Sequence, residues 1–297
     1  MRTSVLFVFA LWLSFGLNGQ IVVKARWIDN VDYAKNNPEK VQFLDLSNTQ
    51  LDAVPKYVSD FKNLIGIKLS DNNISHISDE FSRNKNLEFI ELSGNNIQEI
   101  NFNVFNACKR NLKAIWLRDN DLSVIDSTIN ILKYLEELHL GRNGIKSFDD
   151  NIMLKKLNYL AVDDNQLVKL PTFLDASYKL QKLNLNANII AAFKLTEEMR
   201  NLKSLDIGDN PIENFEIKSA RYKLERLILD WIAIEEEWLT QLPTSVKVLS
   251  MEHCELSSLD GISHLKKLKE LSVLHNSIDE PSAAHFKSNS RVKKLWF

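Results

Sequence analysis

The chain has 297 residues, of which 44% are hydrophobic and 26% charged, and its formal net charge is −2. These proportions are ordinary for a folded, soluble protein. The near-neutral charge argues against a general nucleic-acid binder, because nonspecific affinity for phosphate backbones needs clustered positive charge. The length alone would allow two domains, but the repeats described below favour one elongated domain.

Residues 1–19 have the layout of a secretory signal peptide, with a basic Arg2 followed by an apolar run from Val5 to Leu17. That run is shorter than the roughly 20 residues that a membrane-spanning helix needs. We predict cleavage before Gln20, although Leu17 in place of a small residue leaves a signal anchor as the alternative. Since no later segment is long and apolar enough to span a bilayer, we expect a secreted, extracellular product without membrane insertion.

Residues 20–40 precede a long series of repeats and are predicted to cap it. The end of a stack of repeats would expose apolar core and an unpaired strand edge. Trp27, Ile28, Val31 and Tyr33 are suited to cover that end.

From residue 41 to residue 297 one frame of residues recurs eleven times, at intervals of 22 to 25 residues. It has apolar residues at its first, fourth, sixth and eleventh places and usually an asparagine at its ninth, as in LKAIWLRDNDL at Leu112–Leu122. The frame resembles the leucine-rich repeat, which implies an α/β solenoid shaped like a horseshoe. The repeats begin at Val41, Leu64, Leu87, Leu112, Leu135, Leu157, Leu180, Leu202, Leu224, Val246 and Leu268, and a twelfth opens at Val292.

Alternation at places four to six of each repeat predicts a short strand with two apolar side chains on one face. Stacked repeats would join these strands into a parallel sheet on the concave side, with short helices or loops on the convex side. Apolar residues of the connecting segments are expected to complete the core: Phe81, Phe105, Ile129, Phe173, Phe193 and Phe215.

The asparagines at the ninth place are interpreted as structural. The resemblance implies that each turns inward and bonds the backbone of neighbouring loops, because buried peptide groups must find partners where the strand ends. They are Asn72, Asn95, Asn120, Asn143, Asn165, Asn188, Asn210 and Asn276. Thr49, Ile232 and Cys254 stand in their place in three repeats, and the adjacent pair Ile232 and Cys254 predicts an interruption of the ladder.

The two cysteines, Cys108 and Cys254, lie six repeats apart, about 29 Å at one strand spacing per repeat, so no intramolecular disulfide is expected. Cys254 is predicted to be a small buried thiol. Cys108 lies on a connecting segment and could be a free thiol or an intermolecular link, which leaves a homodimer or heterodimer open.

The sequence Asn73-Ile74-Ser75 directly follows the second strand and matches the glycosylation sequon. Ile74 should point inward and leave Asn73 at the turn. We therefore predict a glycoprotein modified at Asn73.

Side chains at the third, fifth and seventh places face away from the core, so packing does not dictate their identity. The predicted partner-binding group on this concave face consists of Phe43, Phe89, Trp116, Arg118, His139 and Tyr159. Exposed aromatic residues and arginine are enriched at interface hot spots, and Glu91, Glu137 and Asp163 add charge beside them. Scattered aromatic residues are normal on any surface, but a run over four successive repeats favours a binding patch.

A secondary binding candidate lies near the interruption of the ladder, at Arg226, Asp230, Trp231, His253 and His275. The last three share the eighth place of adjacent repeats and could form a column along the sheet edge. Two histidines with Asp230 and Glu252 nearby permit a zinc hypothesis. The sequence does not identify a definite third zinc ligand, so we expect both histidines to be solvated. No metal or cofactor is predicted.

The chain contains no phosphate-binding glycine loop, zinc-hydrolase motif or glycine-flanked nucleophilic serine, so an enzyme is not expected. Short cysteine-poor arrays of this type look like the secreted leucine-rich immune proteins of insects, some of which bind complement-like factors. That resemblance makes a complement-like factor a candidate partner, although the C-terminal cysteine motifs and coiled-coil heptads of the disulfide-linked members are missing.

The sequence thus predicts a secreted protein that recognises another extracellular protein on its concave face, with a role in innate immunity. The alternatives are a cell-adhesion or developmental recognition protein, and a small-ligand sensor that would need a deep cavity beside Trp116.

Overall fold

The computed structural model describes residues 26–217, 222–289 and 292–297, so the predicted signal peptide lies outside the described residues. Within these ranges, twelve short strands stack into one parallel sheet, one strand for each repeat and one for the start of the twelfth. The strands are β1 (Phe43–Asp45), β2 (Gly66–Lys68), β3 (Phe89–Glu91), β4 (Ala114–Trp116), β6 (Glu137–His139), β8 (Tyr159–Ala161), β9 (Lys182–Asn184), β11 (Ser204–Asp206), β13 (Arg226–Ile228), β14 (Val248–Ser250), β15 (Glu270–Ser272) and β16 (Lys294–Trp296). The predicted leucine-rich repeat solenoid is confirmed.

Short helical segments lie in the N-terminal segment before the repeats and, as predicted, in the connecting segments of the repeats. The α-helices are α1 (Val31–Asn36), α2 (Glu236–Thr240) and α3 (Glu280–Asn289), and the 3₁₀ turns are Pro38–Lys40, Lys56–Asp60, Phe102–Phe105, Ser127–Ile131, Thr172–Ala176, Glu197–Met199 and Asp260–Ile262. Among the described residues, no helix has both the length and the apolar character needed to cross a membrane.

Two small strand pairs outside the main sheet were not predicted. They join β5 (Val124–Ile125) to β7 (Ser147–Phe148) and β10 (Ala192–Lys194) to β12 (Asn214–Glu216). In each pair the two strands begin at the thirteenth place of adjacent repeats. Residues at one place of neighbouring repeats lie one strand spacing apart, so an extended backbone there can pair.

The core is a continuous column between the sheet and the connecting segments. The apolar residues of the repeat frame are buried, and so are the six predicted core residues of the connecting segments: Phe81, Phe105, Ile129, Phe173, Phe193 and Phe215. Phenylalanines of successive repeats touch, with ring centroids 5.6 Å apart for Phe81 and Phe105. The core prediction is confirmed.

The N-terminal segment lies against the outer edge of the first strand. The Ile28 N–H donates to the Phe43 carbonyl at 3.0 Å, and Ile28 accepts from the Asp45 N–H at 2.9 Å, so the edge of β1 has partners. Ile28 and Val31 pack against the core. Tyr33 does not cover it as expected: it is 46% exposed, because helix α1 turns Ala34 inward instead.

The ninth-place asparagines form the expected ladder between repeats. Asn120 is typical: its side-chain amide donates to the carbonyls of Leu92 at 3.0 Å and Leu117 at 3.2 Å, and its oxygen accepts from the Ile97 N–H at 3.0 Å. Each asparagine thereby satisfies backbone groups of its own repeat and of the preceding one. Their structural interpretation is confirmed.

The ladder changes at the two adjacent repeats that lack the asparagine, as predicted. In the regular repeats the N–H at the eleventh place donates to the ladder asparagine of the next repeat, as Ile97 does to Asn120. Ile232 has no side-chain acceptor, so the Ile212 N–H donates instead to the Asn210 carbonyl at 2.8 Å. Where Cys254 stands, its thiol donates to the Leu229 carbonyl at 3.2 Å. Burial raises the pKa of the Cys254 thiol to about 12, so this residue is the buried structural thiol that the sequence predicts.

Cys108 is fully buried as well, and burial raises the pKa of its thiol to about 12. Its Sγ donates to the Phe105 carbonyl at 3.4 Å. The suggestion that Cys108 forms an intermolecular link is therefore wrong, since the thiol faces the core rather than solvent. At the predicted sequon, Ile74 is buried and Asn73 is exposed.

Candidate functional site

The concave face of the first six repeats carries a continuous row of aromatic rings, here named the aromatic ribbon. It consists of Trp27, Phe43, Phe89, Trp116, His139 and Tyr159. Ring centroids are separated by 5.3 Å for Trp27 and Phe43, 6.4 Å for Trp27 and Phe89, 4.9 Å for Phe89 and Trp116, 5.0 Å for Trp116 and His139, and 4.5 Å for His139 and Tyr159. Most contacts are edge-to-face, the favoured geometry for aromatic pairs. The ribbon unites five of the six predicted partner-binding residues.

Small residues on the strands make room for the rings. A Cβ atom at Gly66 would lie 2.9 Å from the Phe43 ring and 3.2 Å from the Trp27 ring. Ala114 is the direct partner of Phe89 in the sheet, and Ala161 is that of His139. Phe89 therefore meets Trp116, and His139 meets Tyr159, diagonally across the strands, whereas Trp116 and His139 are direct partners in the sheet.

Trp27 is a residue of the aromatic ribbon that the sequence-based prediction placed elsewhere. It was expected to cover the core, but its ring fills the gap between Phe43 and Phe89, and the Lys68 ammonium lies 4.3 Å from the ring centroid. Gly66 could have indicated this position from the sequence. It holds the third place of its repeat, and the repeats on both sides have a phenylalanine, Phe43 and Phe89, at that place. Because glycine has no side chain, the space above it on the concave face can hold a side chain from the neighbouring N-terminal cap.

The rings differ in how much surface they offer. Phe89 is only 5% exposed, so it supports its neighbours rather than presenting a large surface, contrary to expectation. Phe43, Trp116, His139 and Tyr159 are partly exposed. The ribbon is thus a preformed surface whose rings hold one another in place.

Arg118 flanks the ribbon in an ion pair that spans two repeats. Its Nη1 lies 2.5 Å from Asp163 Oδ2, and the pair passes over Gly141, where a Cβ atom would approach Asp163 Oδ1 to 2.6 Å. The glycine thereby permits the bridge. The Arg118 side chain is still 37% exposed, so it can present charge beside the rings while Asp163 fixes its position.

Two polar atoms of the ribbon are buried without a hydrogen-bond partner, Trp116 Nε1 and His139 Nε2. The latter lies 3.6 Å from Glu137 Oε2, within ion-pair range if the imidazole is protonated. Unsatisfied buried polar atoms cost stability and are rare in folded proteins. Within the described residues, these two polar groups of the ribbon therefore have no hydrogen-bond partner.

Glu91 is a buried carboxyl directly opposite Trp116 in the sheet. Burial raises its pKa to about 7, while hydrogen bonding from Ser93 and the charge of Lys68 act in the opposite direction. Further along the same face, burial raises the pKa of Asp206 to about 7 as well. The concave face therefore takes up protons close to neutral pH.

We predict that Glu91→Gln stabilises the folded protein at pH 8 by about 1–2 kcal/mol relative to the parent, because a buried carboxylate is removed. Since the pKa of Glu91 in the folded state lies above its unfolded value, the parent gains stability on acidification, and that gain is lost as pH rises through about 7. Urea unfolding at pH 8 and pH 5 measures this: the advantage of the variant should shrink at pH 5. An advantage that is the same at both pH values would contradict the buried, titrating carboxyl.

The secondary candidate contains a stacked group, here named the aromatic column, formed by Trp231, His253 and His275. Ring centroids lie 3.7 Å apart for the first pair and 4.2 Å for the second, with interplanar angles of 12° and 19°. The shared eighth place thus produces the predicted column. Asp230 lies beside it and accepts from the Glu252 N–H at 2.8 Å, whereas Arg226 is on strand β13, away from the sheet edge.

This arrangement does not support the hypothesis of a zinc site. Across the part of the chain that the structure describes, no group of three or more histidine, cysteine, aspartate or glutamate residues is placed to hold a metal ion. The two imidazoles face each other ring to ring, an orientation that does not converge their nitrogen atoms on one point.

An open groove of about 680 Å³ lies on the other side of the repeats, between the β10–β12 pair and helix α2. Phe193, Phe215 and Trp238 form its apolar wall. Trp116 does not line this groove, so the groove is not the deep cavity beside Trp116 that a ligand sensor would need.

Comparisons with known proteins agree with the fold. The sequence profile described as leucine rich repeat matches residues 39–97. No curated protein sequence matches the chain significantly. A chain of the LRIM1/APL1C complex superposes with a TM-score of 0.65 at 20% identity, over 86% of this chain and 47% of that chain.

Two further solved structures are similar. A leucine-rich repeat protein of Leptospira interrogans has a TM-score of 0.57 at 22% identity, over 92% of this chain and 88% of that one. TLR13 in the TLR13–ssRNA13 complex has a TM-score of 0.57 at 20% identity, over 91% of this chain and 52% of that one. At these identities the similarity establishes the leucine-rich repeat fold.

Proposed function

We propose that the protein binds another protein noncovalently through the aromatic ribbon on its concave face. The observation that carries the proposal is the continuous contact of six rings on the face that the core does not need. Aromatic residues anchored by their neighbours lose little conformational entropy on binding, so they suit the centre of an interface.

The size and charge of the surface favour a macromolecular partner. The ribbon crosses six strands from β1 to β8, about 24 Å at one strand spacing each, which matches the width of a protein interface rather than a small ligand. At its end the Lys182 ammonium lies 5.6 Å from the Tyr159 ring centroid, and the Arg118–Asp163 pair stands alongside. Charged groups at the rim of an aromatic centre are typical of protein interfaces.

A photo-crosslinking experiment tests this location. The photoreactive residue p-benzoylphenylalanine would replace Tyr159 on the ribbon or, as the matched control, Met153, which is 60% exposed in a connecting segment. We expect a discrete adduct with one protein of the native extracellular fluid from position 159 and none from position 153. An adduct that forms at position 153 and not at position 159 would place the interface elsewhere.

Secretion and an immune role complete the proposal. Secretion is supported by the signal-peptide pattern of residues 1–19 and is compatible with the exposed Asn73 of the sequon. The resemblance to the secreted leucine-rich immune proteins of insects favours innate immunity, with a complement-like factor as a candidate partner. Release into body fluid that rises on infection would support this role, and release independent of infection would favour adhesion or developmental recognition.

A further inference from the structure

The eighth place of every repeat adopts a backbone conformation that few residue types tolerate. All eleven residues there have positive φ, between 51° and 67°. Six of them are glycine, asparagine or aspartate, the types that enter the left-handed region most easily: Asn48, Asp71, Gly94, Asp119, Asp164 and Asp209. The scaffold alone therefore favours a small or short polar residue at this place.

The aromatic column departs from that rule in three successive repeats. Trp231, His253 and His275 have φ of 62°, 55° and 60°. Histidine is tolerated in this region, but a bulky tryptophan is an outlier. Strained backbone of this kind persists where the surrounding structure holds it, and it clusters at functional sites.

Trp231 forms the end of the column and is 59% exposed. One face of its indole stacks on His253 at 3.7 Å. The other face looks toward the preceding repeat, where Asp209 occupies the same place and its N–H donates to the Asp230 carbonyl at 2.7 Å. Because an aspartate side chain is much shorter than an indole, the outer part of this second face stays open to solvent.

The surroundings of the open indole face are acidic. Asp209 stands at the eighth place of the preceding repeat and is exposed, and Asp230 and Glu252 hold the seventh places next to Trp231 and His253. Asp230 and Glu252 are held by hydrogen bonds, Asp230 to the Glu252 N–H and Glu252 to the Ser272 hydroxyl. An aromatic face bordered by fixed carboxylates attracts a cation that can stack.

We propose that Trp231 and Asp209 together bind the guanidinium group of an arginine in a basic segment of a partner protein. Guanidinium is planar, so it lies flat on the indole while its N–H groups donate to a carboxylate at the rim. The ammonium group of lysine carries the same charge but is not planar, so it cannot lie flat on the indole. The site is separate from the aromatic ribbon, which ends three repeats earlier at Tyr159, and it gives the protein a second contact surface with its own chemistry.

The test uses two capped peptides, Gly-Arg-Gly-Arg-Gly and the same peptide with citrulline in place of arginine, which keeps the shape and removes the charge. We expect the parent protein to bind the arginine peptide about fivefold more tightly or better by calorimetry, in line with a cation–π contact at an exposed site. Trp231→Asn, which installs the residue type found at Asn48, should abolish that preference, and Asp209→Asn should weaken it.

Two controls make the result decisive. Trp231→Asn should melt within about 3 °C of the parent, because relief of strain offsets the lost stacking. The Trp116→Ala/Tyr159→Ala variant should bind the arginine peptide as the parent does, which separates this site from the aromatic ribbon. Equal affinity for the two peptides, no binding of either, or full binding by Trp231→Asn would overturn the proposal.

Discussion

Replacing Asn120 by alanine is expected to destabilise the folded protein by about 3 kcal/mol, because three buried backbone groups lose their partners at once. These groups are the carbonyls of Leu92 and Leu117 and the N–H of Ile97. Asn120 lies in the middle of the array, where the repeats on both sides hold the backbone and prevent it from relaxing toward water. Urea unfolding monitored by circular dichroism measures the loss.

Two companion variants sharpen this prediction. Asn86→Ala removes one exposed hydrogen bond to the Lys62 carbonyl, and should change stability by less than about 0.5 kcal/mol. Asn120→Cys should cost less than Asn120→Ala, because the Cys254 thiol satisfies the Leu229 carbonyl of the preceding repeat, which is equivalent to the Leu92 carbonyl. A stability of Asn120→Ala equal to that of Asn86→Ala would show that the ladder does not support the fold.

The parts of the fold that recur in every repeat could be predicted from the sequence. A strand must bury the same places and a loop must satisfy the same peptide groups each time, so Leu117 and Asn120 repeat as types with a fixed period. That periodicity gave the sheet, its parallel register, the buried phenylalanines and the ladder. Even the column of Trp231, His253 and His275 followed from their shared place.

The features that occur once could not be predicted in this way. Trp27 lies outside the repeats, and its position depends on the space above Gly66. The ion pair of Arg118 joins residues two repeats apart, and it forms because Gly141 lacks a side chain between them. A glycine on the concave face leaves space that a neighbouring side chain can fill. Gly66 and Gly141 therefore decide where Trp27 and Arg118 lie, although neither glycine has a side chain of its own.

The repeat pattern also could not predict how exposed an individual side chain outside the frame would be. Cys108 and Tyr33 lie outside the repeat frame, and the local path of a short helix or turn decides which way each points. The sequence placed Trp116, His139 and Tyr159 on successive repeats, but their mutual contacts depend on rotamers that only the packed face selects.

Replacing both Trp116 and Tyr159 by alanine is expected to weaken binding of the protein partner by about 100-fold or more. Truncation of an aromatic hot spot typically costs about 2 kcal/mol or more, and the two sites lie on either side of His139, whose ring contacts both. The matched control is Tyr178→Ala with Met153→Ala, which removes two exposed side chains of the connecting segments. Thermal melting should show that both double variants remain folded.

The dissociation constant of the partner recovered by crosslinking, measured for the parent and for both double variants, tests the central claim most directly. The claim is that the aromatic ribbon is the binding surface. It predicts a rise of about 100-fold for Trp116→Ala/Tyr159→Ala and an unchanged value for Tyr178→Ala/Met153→Ala. A folded Trp116→Ala/Tyr159→Ala variant that binds the partner as tightly as the parent would contradict it.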